Sequence, residues 1–131
     1  MIQIALETRQ RCELVEITGR LDRALQESGV REGMLLAQVM HTTAGITINE
    51  NADPDVARDV LKHLERMVPE QAGFLHSEGN SDAHIKASLM GSSVSIPVTM
   101  GKLALGTWQG VFFCEFDGPR QRKLAVQILQ A

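Results

Sequence analysis

With 131 residues, 44 % of them apolar and 22 % charged, and a net charge of −3, the chain has the make-up of an ordinary globular domain that can bury one core without disulfides. That balance excludes disorder as the main state and argues against a dedicated nucleic-acid binder, which would carry a basic excess or stripe. Cys12 and Cys114 are too few for a disulfide framework. No stretch approaches about 20 apolar residues and the N-terminal MIQIALETRQ has no apolar leader core, so the sequence reads as one cytoplasmic domain over 1–131 with no membrane partner.

Taken in chain order, Ile2, Ile4 and Leu6 alternate with polar or small residues, and an apolar run resumes at Leu14 to Ile17 after a charged break. The two segments predict an opening hairpin. Leu21, Ala24 and Leu25 fit a short helix closed by Gly29. Met34 to Met40 is apolar almost throughout and predicts a strand buried on both faces, ending at His41. Ile46 to Ile48 follows as a short strand after the turn Thr42-Thr43-Ala44-Gly45.

The clearest helix is predicted over Asp55 to Val68. The Asp53 carboxylate can accept from free N–H groups of the first turn, and Pro54 occupies a position where its missing N–H costs nothing. Val56, Val60, Leu64 and Met67 recur at helical spacing, and Pro69 stops the run. A shorter helix is predicted from Asp82 to Met90, ended by Gly91. Strands then follow at Ser93 to Met100, Thr107 to Phe116 and Leu124 to Ile128, the last two joined by the turn Asp117-Gly118-Pro119. Strands at both ends with helices gathered in the middle define an α+β fold.

Three of the four histidines draw attention. His63 sits in the long helix among Lys62, Glu65 and Arg66 and reads as a surface residue. His41 ends a strand, while His76 and His84 bracket the polar loop Ser77 to Ala83. Neutral imidazoles suit borderline metals such as zinc, and three protein ligands with an open position describe a catalytic site. Glu78 and Asp82 are placed to fix ring tautomers. Against this, the separation of His76 from His84 matches no tight metal motif, and scattered histidines are more often unrelated.

Helix capping accounts for Asp53 but leaves Glu50 unexplained. On the strand from Thr107, one face holds Trp108, Phe112, Cys114 and Phe116, read mostly as core packing, and packing does not explain Gln109 and Glu115. Arg120, Arg122 and Lys123 read as a solvated strand end. The sequence contains no phosphate-binding Gly-Lys-Ser/Thr loop, no G-x-S-x-G elbow and no Cys-x-x-Cys pair.

An ordered set of motifs runs through the chain. His41-Thr42-Thr43-Ala44 comes first, then Asn49 to Pro54, His76-Ser77-Glu78-Gly79-Asn80, Ala83 to Ser88 and Ile96-Pro97-Val98. Gly106-Thr107-Trp108-Gln109-Gly110-Val111 completes it. The set resembles the YjbQ family, some members of which are labelled secondary thiamine-phosphate synthases. The resemblance implies a compact, β-rich α+β sandwich with two or three helices, assembled as a homotrimer. It also implies that His41, His76 and His84 gather near a subunit boundary around a divalent metal ion, for which the imidazole set favours zinc over magnesium. Glu50, Glu78, Lys86 and Gln109 become candidate catalytic residues, and Thr107 and Trp108 candidate substrate contacts. The implied activity joins a pyrimidine pyrophosphate to a thiazole phosphate, as a weak or secondary reaction on a small-molecule substrate. The alternatives are a metal-dependent hydrolase or lyase of a small phosphorylated or carboxylated metabolite, and a non-enzymatic metal- or ligand-binding trimer.

Overall fold

A computed structural model describes all residues from Met1 to Ala131. The strands are β1 (Ile2–Glu7), β2 (Glu13–Glu16), β3 (Gly33–Val39), β4 (Ala44–Glu50), β5 (Ser93–Thr99), β6 (Lys102–Leu103), β7 (Gln109–Glu115) and β8 (Gln121–Gln130). The helices are α1 (Thr18–Ser28), α2 (Pro54–Met67) and α3 (Ser81–Met90). Two antiparallel sheets result, one in the order β1-β8-β3-β5-β6 and one in the order β2-β7-β4.

The sheets face one another across a core that includes Leu6, Leu35, Val98, Leu124 and Val126 from the larger sheet and Ile46, Val111 and Phe113 from the smaller one. Period-two alternation assigns these faces, because successive side chains of a strand point to opposite sides. Helix α1 closes one end of the core with Leu21 and Leu25, and Gly29, in the left-handed conformation at φ 71°, ends it. Strand β7 is buried on both sides. Val111 and Phe113 face the core, while Cys114, with Phe116 just beyond the strand, packs under α3 with Ala83 and Ala87. The order of layers is five-stranded sheet, core, three-stranded sheet, and helices α2 and α3.

Several expectations are corrected. The opening hairpin does not form: β1 pairs with β8 and β2 with β7, in different sheets, because the charged segment between them crosses from one sheet to the other. Strand β3 is buried on one face only. Leu35, Ala37 and Val39 point inward, whereas Met34, Leu36 and Gln38 lie on the outer face of the sheet, which no helix covers. Trp108 precedes β7 instead of joining its core face, and it is 63 % exposed. The long helix keeps its expected start: Asp53 Oδ1 accepts from the Asp55 N–H at 2.9 Å and Pro54 is the first helical residue.

Gly45 lets α3 dock on β4. The Ile46 N–H donates to the Gly91 carbonyl at 3.0 Å, and a Cβ on Gly45 would stand 2.8 Å from that oxygen and 3.0 Å from Met90 Cβ. Backbone on one side and packed side chain on the other leave no room to give. Gly45→Ala is expected to lower unfolding stability by about 1–3 kcal/mol, read from the urea midpoint at an unchanged slope.

Candidate functional site

Four of the candidate residues, His41, His76, Glu78 and His84, come together at one side of the sandwich. His41 follows β3, and its ring extends the sheet ladder: Nε2 accepts the backbone N–H of Lys123 on β8 at 2.8 Å. Burial, reinforced by the Arg122 charge, holds His41 below the ordinary histidine range. The imidazole is therefore neutral at pH 7, and with Nε2 accepting, its proton sits on Nδ1.

His84 lies in the first turns of α3, and His76 in the loop before it, where the Gly79 N–H closes a turn onto the His76 carbonyl. The two rings stand edge to face with centroids 5.3 Å apart. A carboxylate oxygen of Glu78 is 3.9 Å from His76 Nε2. His41, His76, His84 and Glu78 line one cleft of about 450 Å³, with Thr43, Asn80, Asp117, Arg120 and Arg122 completing its wall.

A buried ion pair floors this cleft. Glu115 is fully buried and Arg122 is 4 % exposed. Arg122 Nε donates to Glu115 Oε1 at 2.8 Å, and Nη2 donates to Glu115 Oε2 and to Thr43 Oγ1. Thr8 Oγ1 donates to Glu115 Oε1 at 2.6 Å, and the amides of Phe116 and Asp117 donate to Oε2. Burial alone would raise the Glu115 pKa, but the hydrogen bonds from Arg122 and Thr8 and from the Asp117 amide outweigh it and hold the carboxyl below its usual range. Beside the pair, Asn80 Nδ2 donates to Asp117 Oδ2 at 2.8 Å, while the buried Asn80 Oδ1 has no partner in the chain.

The expected solvated strand end is thus corrected for Arg122. Sequence reasoning passed it over, although Leu124 and Val126 point inward and the two-residue period puts Arg122 in the same phase. Glu115, left unexplained by packing, is its partner. Arg120 is exposed and pairs with Asp117 at 3.0 Å.

The remaining candidate residues lie elsewhere in the chain. Lys86 is buried against Asp82 at 3.4 Å and lines a different cleft with Arg11 and Cys12. Asp82 is itself held by Arg11 and does not reach the histidine rings as a tautomer-fixing group. Glu50 accepts the Asp53 N–H at 3.3 Å and lines a groove beneath α2. Gln109 Oε1 accepts the Gly106 N–H at 2.7 Å, bracing the turn that exposes Thr107 and Trp108. Cys114 is buried as expected, its thiol pushed up to about 12 by burial, whereas Cys12 is only half-buried.

Two antiparallel sheets, three helices and a histidine-lined cleft at the strand ends define an α+β protein of one particular architecture. The family profile described as UPF0047 protein YjbQ-like matches residues 2–131. UPF0047 protein MJ1081 of Methanocaldococcus jannaschii is 51 % identical over 129 residues, covering 98 % of this chain and 94 % of that protein. UPF0047 protein YugU of Bacillus subtilis is 46 % identical, covering 96 % of each. The crystal structure of an uncharacterized conserved YjbQ/UPF0047 family protein from Clostridium acetobutylicum superposes with a TM-score of 0.97 at 54 % identity, covering 98 % of this chain and all of that one. A protein of unknown function from Sulfolobus solfataricus gives a TM-score of 0.95 at 34 % identity over 99 % of this chain and 96 % of that one. The chain belongs to the YjbQ/UPF0047 family, whose names here state no activity. No helix is long and apolar enough to cross a membrane.

The ion pair yields two measurable consequences. Arg122→Met strands the Glu115 charge and is expected to cost about 3–5 kcal/mol in urea unfolding. Because the folded pKa of Glu115 is lowered from 4.5, its contribution is complete above that value and is lost as pH falls through the folded pKa. Glu115→Gln is therefore expected to flatten the acid limb of the stability–pH curve below about pH 4.5, measured by unfolding at pH 2 to 7.

Proposed function

We propose that the histidine cleft is the active site of an enzyme acting on a small phosphorylated metabolite. Joining a pyrimidine pyrophosphate to a thiazole phosphate, with loss of pyrophosphate, is a secondary reaction of that kind. The observation that carries this reading is the meeting of His41, His76 and His84, from three separate segments, on one cleft wall with Arg120 and Arg122. Cations and imidazole N–H donors are what stabilise a leaving phosphate or pyrophosphate.

The donor set bears on the metal. Two imidazoles bound to one tetrahedral zinc have centroids about 5.2 Å apart, from bonds of about 2.0–2.1 Å. The separation of 5.3 Å between His76 and His84 matches that distance, which is also that of an ordinary edge-to-face ring contact. His41 does not fit as a third ligand in its present tautomer, because Nε2 is engaged by Lys123 and Nδ1 carries the proton. No three His, Cys, Asp or Glu side chains stand together as a ready ligand set. A zinc ion held by His76 and His84 would therefore need a third ligand from a rearranged side chain; its chemistry there would be to polarise a phosphoryl oxygen and acidify a bound water. His41 donates its Nδ1–H to substrate oxygen.

A second reading, hydrolysis, is favoured by Glu78. Its carboxylate, 3.9 Å from His76 Nε2, stands where a general base would take a proton from water. Elemental analysis and turnover on a panel of phosphoesters and thiamine precursors test both readings. The expected result is bound zinc, with activity reduced about 10²-fold or more in His84→Ala. Zinc without turnover on any member leaves a binding protein, and turnover unchanged in His84→Ala removes the cleft from the chemistry.

The homotrimer is also proposed. On the outer face of the larger sheet, Met34 pairs with Leu129 and Pro97, with Leu36, Ser95 and Gln127 beside them and no charged side chain in the strip. Met34 and Leu129 are about half exposed. In an assembly, Glu50, Thr107, Trp108 and Gln109, which stand outside the histidine cleft of their own chain, are available to a neighbour's. Light scattering is expected to give three copies per particle for the native chain and fewer for Leu129→Asp; a native monomer sinks the assembly.

A further inference from the structure

The wall formed by His41 and Arg122 has a second side. There the same two residues, with Arg9, Arg20 and Lys123, line a cleft of about 620 Å³ in which Glu7 is the one carboxylate. The volume lies within the range of small-ligand sites. In a chain of net charge −3, such a gathering of cations runs against the overall balance.

These cations are not spoken for. No ion pair of the chain engages the side chain of Arg9, Arg20 or Lys123. Arg23, Arg31, Lys62, Arg66 and Lys102 are also without ion pairs, so it is the gathering in one cleft, not the lack of a partner, that sets these three apart. Arg122 adds a preorganised group. Its Nε and Nη2 are spent on Glu115 and Thr43, and Nη1 makes no hydrogen bond within the chain. Nor is Nη1 among the buried atoms that lack a partner, so it opens onto solvent from a side chain otherwise 4 % exposed. A guanidinium locked by a buried carboxylate cannot swing away and presents its remaining N–H groups in a fixed direction. Like charges sharing a groove repel, and a bound anion reverses the sign of that interaction.

We propose that this second cleft is a phosphate subsite. It takes the phosphate monoester of a small ligand whose reacting end lies across the His41–Arg122 wall, in the histidine cleft. The proposal names the substrate class for the function proposed above and to that extent rests on it. The subsite itself, however, is defined by binding and not by turnover.

Calorimetric titration of the full chain with a simple phosphate monoester and with inorganic phosphate, in metal-free buffer, tests it. Arg20 and Lys123 are exposed, so their variants keep the fold. Saturable binding is expected, weakened about tenfold or more in Arg20→Gln and in Lys123→Gln and further in the double variant, with His84→Ala close to native. Amide shifts on phosphate addition are expected at Arg9, Arg20 and Lys123. Absence of saturable binding, or an unchanged Kd in the double variant, overturns the subsite. So does tighter, steeply salt-dependent binding of a single-stranded oligonucleotide, which would make the cleft part of a polymer track. Retained phosphate binding without turnover on any substrate would leave the subsite standing while the proposed activity fell.

Discussion

One buried carboxylate–guanidinium contact sets the geometry of the end of this molecule where its histidines meet. Glu115 closes β7 in the smaller sheet and Arg122 enters β8 in the larger one, so their pairing ties the two sheets together where the chain turns between them. Thr8 beyond β1 and Thr43 ahead of β4 supply the remaining hydrogen bonds, bringing four segments to one point. A hydrophobic filling of the same volume would hold the sheets as well or better, since desolvation cancels much of the attraction in such a pair. What an apolar filling cannot do is fix the direction of a cation. The pair holds Arg122 in the wall of the histidine cleft and leaves one guanidinium nitrogen free on a residue shared by both clefts.

This arrangement explains what was and was not legible in the sequence. Local rules served where the physics is local. The cap and first-turn proline of α2, the glycine that ends α1, and the period-two faces of β5 and β8 all follow from neighbouring residues. Strand pairing is not local. The partner of Ile2 is Val126, and nothing within the first 17 residues distinguishes that pairing from a hairpin with β2. Arg122 was misplaced for a related reason. A run of basic residues suggests solvent by composition, whereas the alternation with Leu124 and Val126 put it inside, and only a buried acid could make that tolerable. That acid, Glu115, stood out as a residue packing could not explain.

The histidine cleft was legible only in part. The motif resemblance brought His41, His76, His84 and Glu78 into one group, and these four line the same cleft. Asn80, Asp117, Arg120 and Arg122 were not anticipated as part of its wall. The ring of His41, spent on a sheet hydrogen bond through Nε2, also differs in kind from the other two. Chemically the site reads as an imidazole pair facing a neutral, proton-bearing imidazole, not as three equivalent ligands. Asn80, also in this wall, keeps one buried side-chain acceptor, Oδ1, without a partner in the chain.

The surface completes the argument for assembly. The turn from Gly106 to Gln109 is braced by its own hydrogen bonds, from the Gly106 amide to Gln109 Oε1, from the Gln109 amide to the Gly106 carbonyl, and from the Asn51 amide to the Trp108 carbonyl. These bonds fix the backbone that carries Trp108 and leave its side chain 63 % exposed. A large indole fixed in water forgoes the burial that makes tryptophan favourable, and it recovers that burial only against another surface. The uncharged strip around Met34 and Leu129 has the same character on a flat sheet face, where regular strands leave no side chain free to fold over it. Neither feature helps an isolated chain. Both become intelligible under the proposed assembly, in which the Trp108 turn and the sheet face would meet copies of the same molecule and Glu50, Thr107, Trp108 and Gln109 would border a neighbour's histidine cleft.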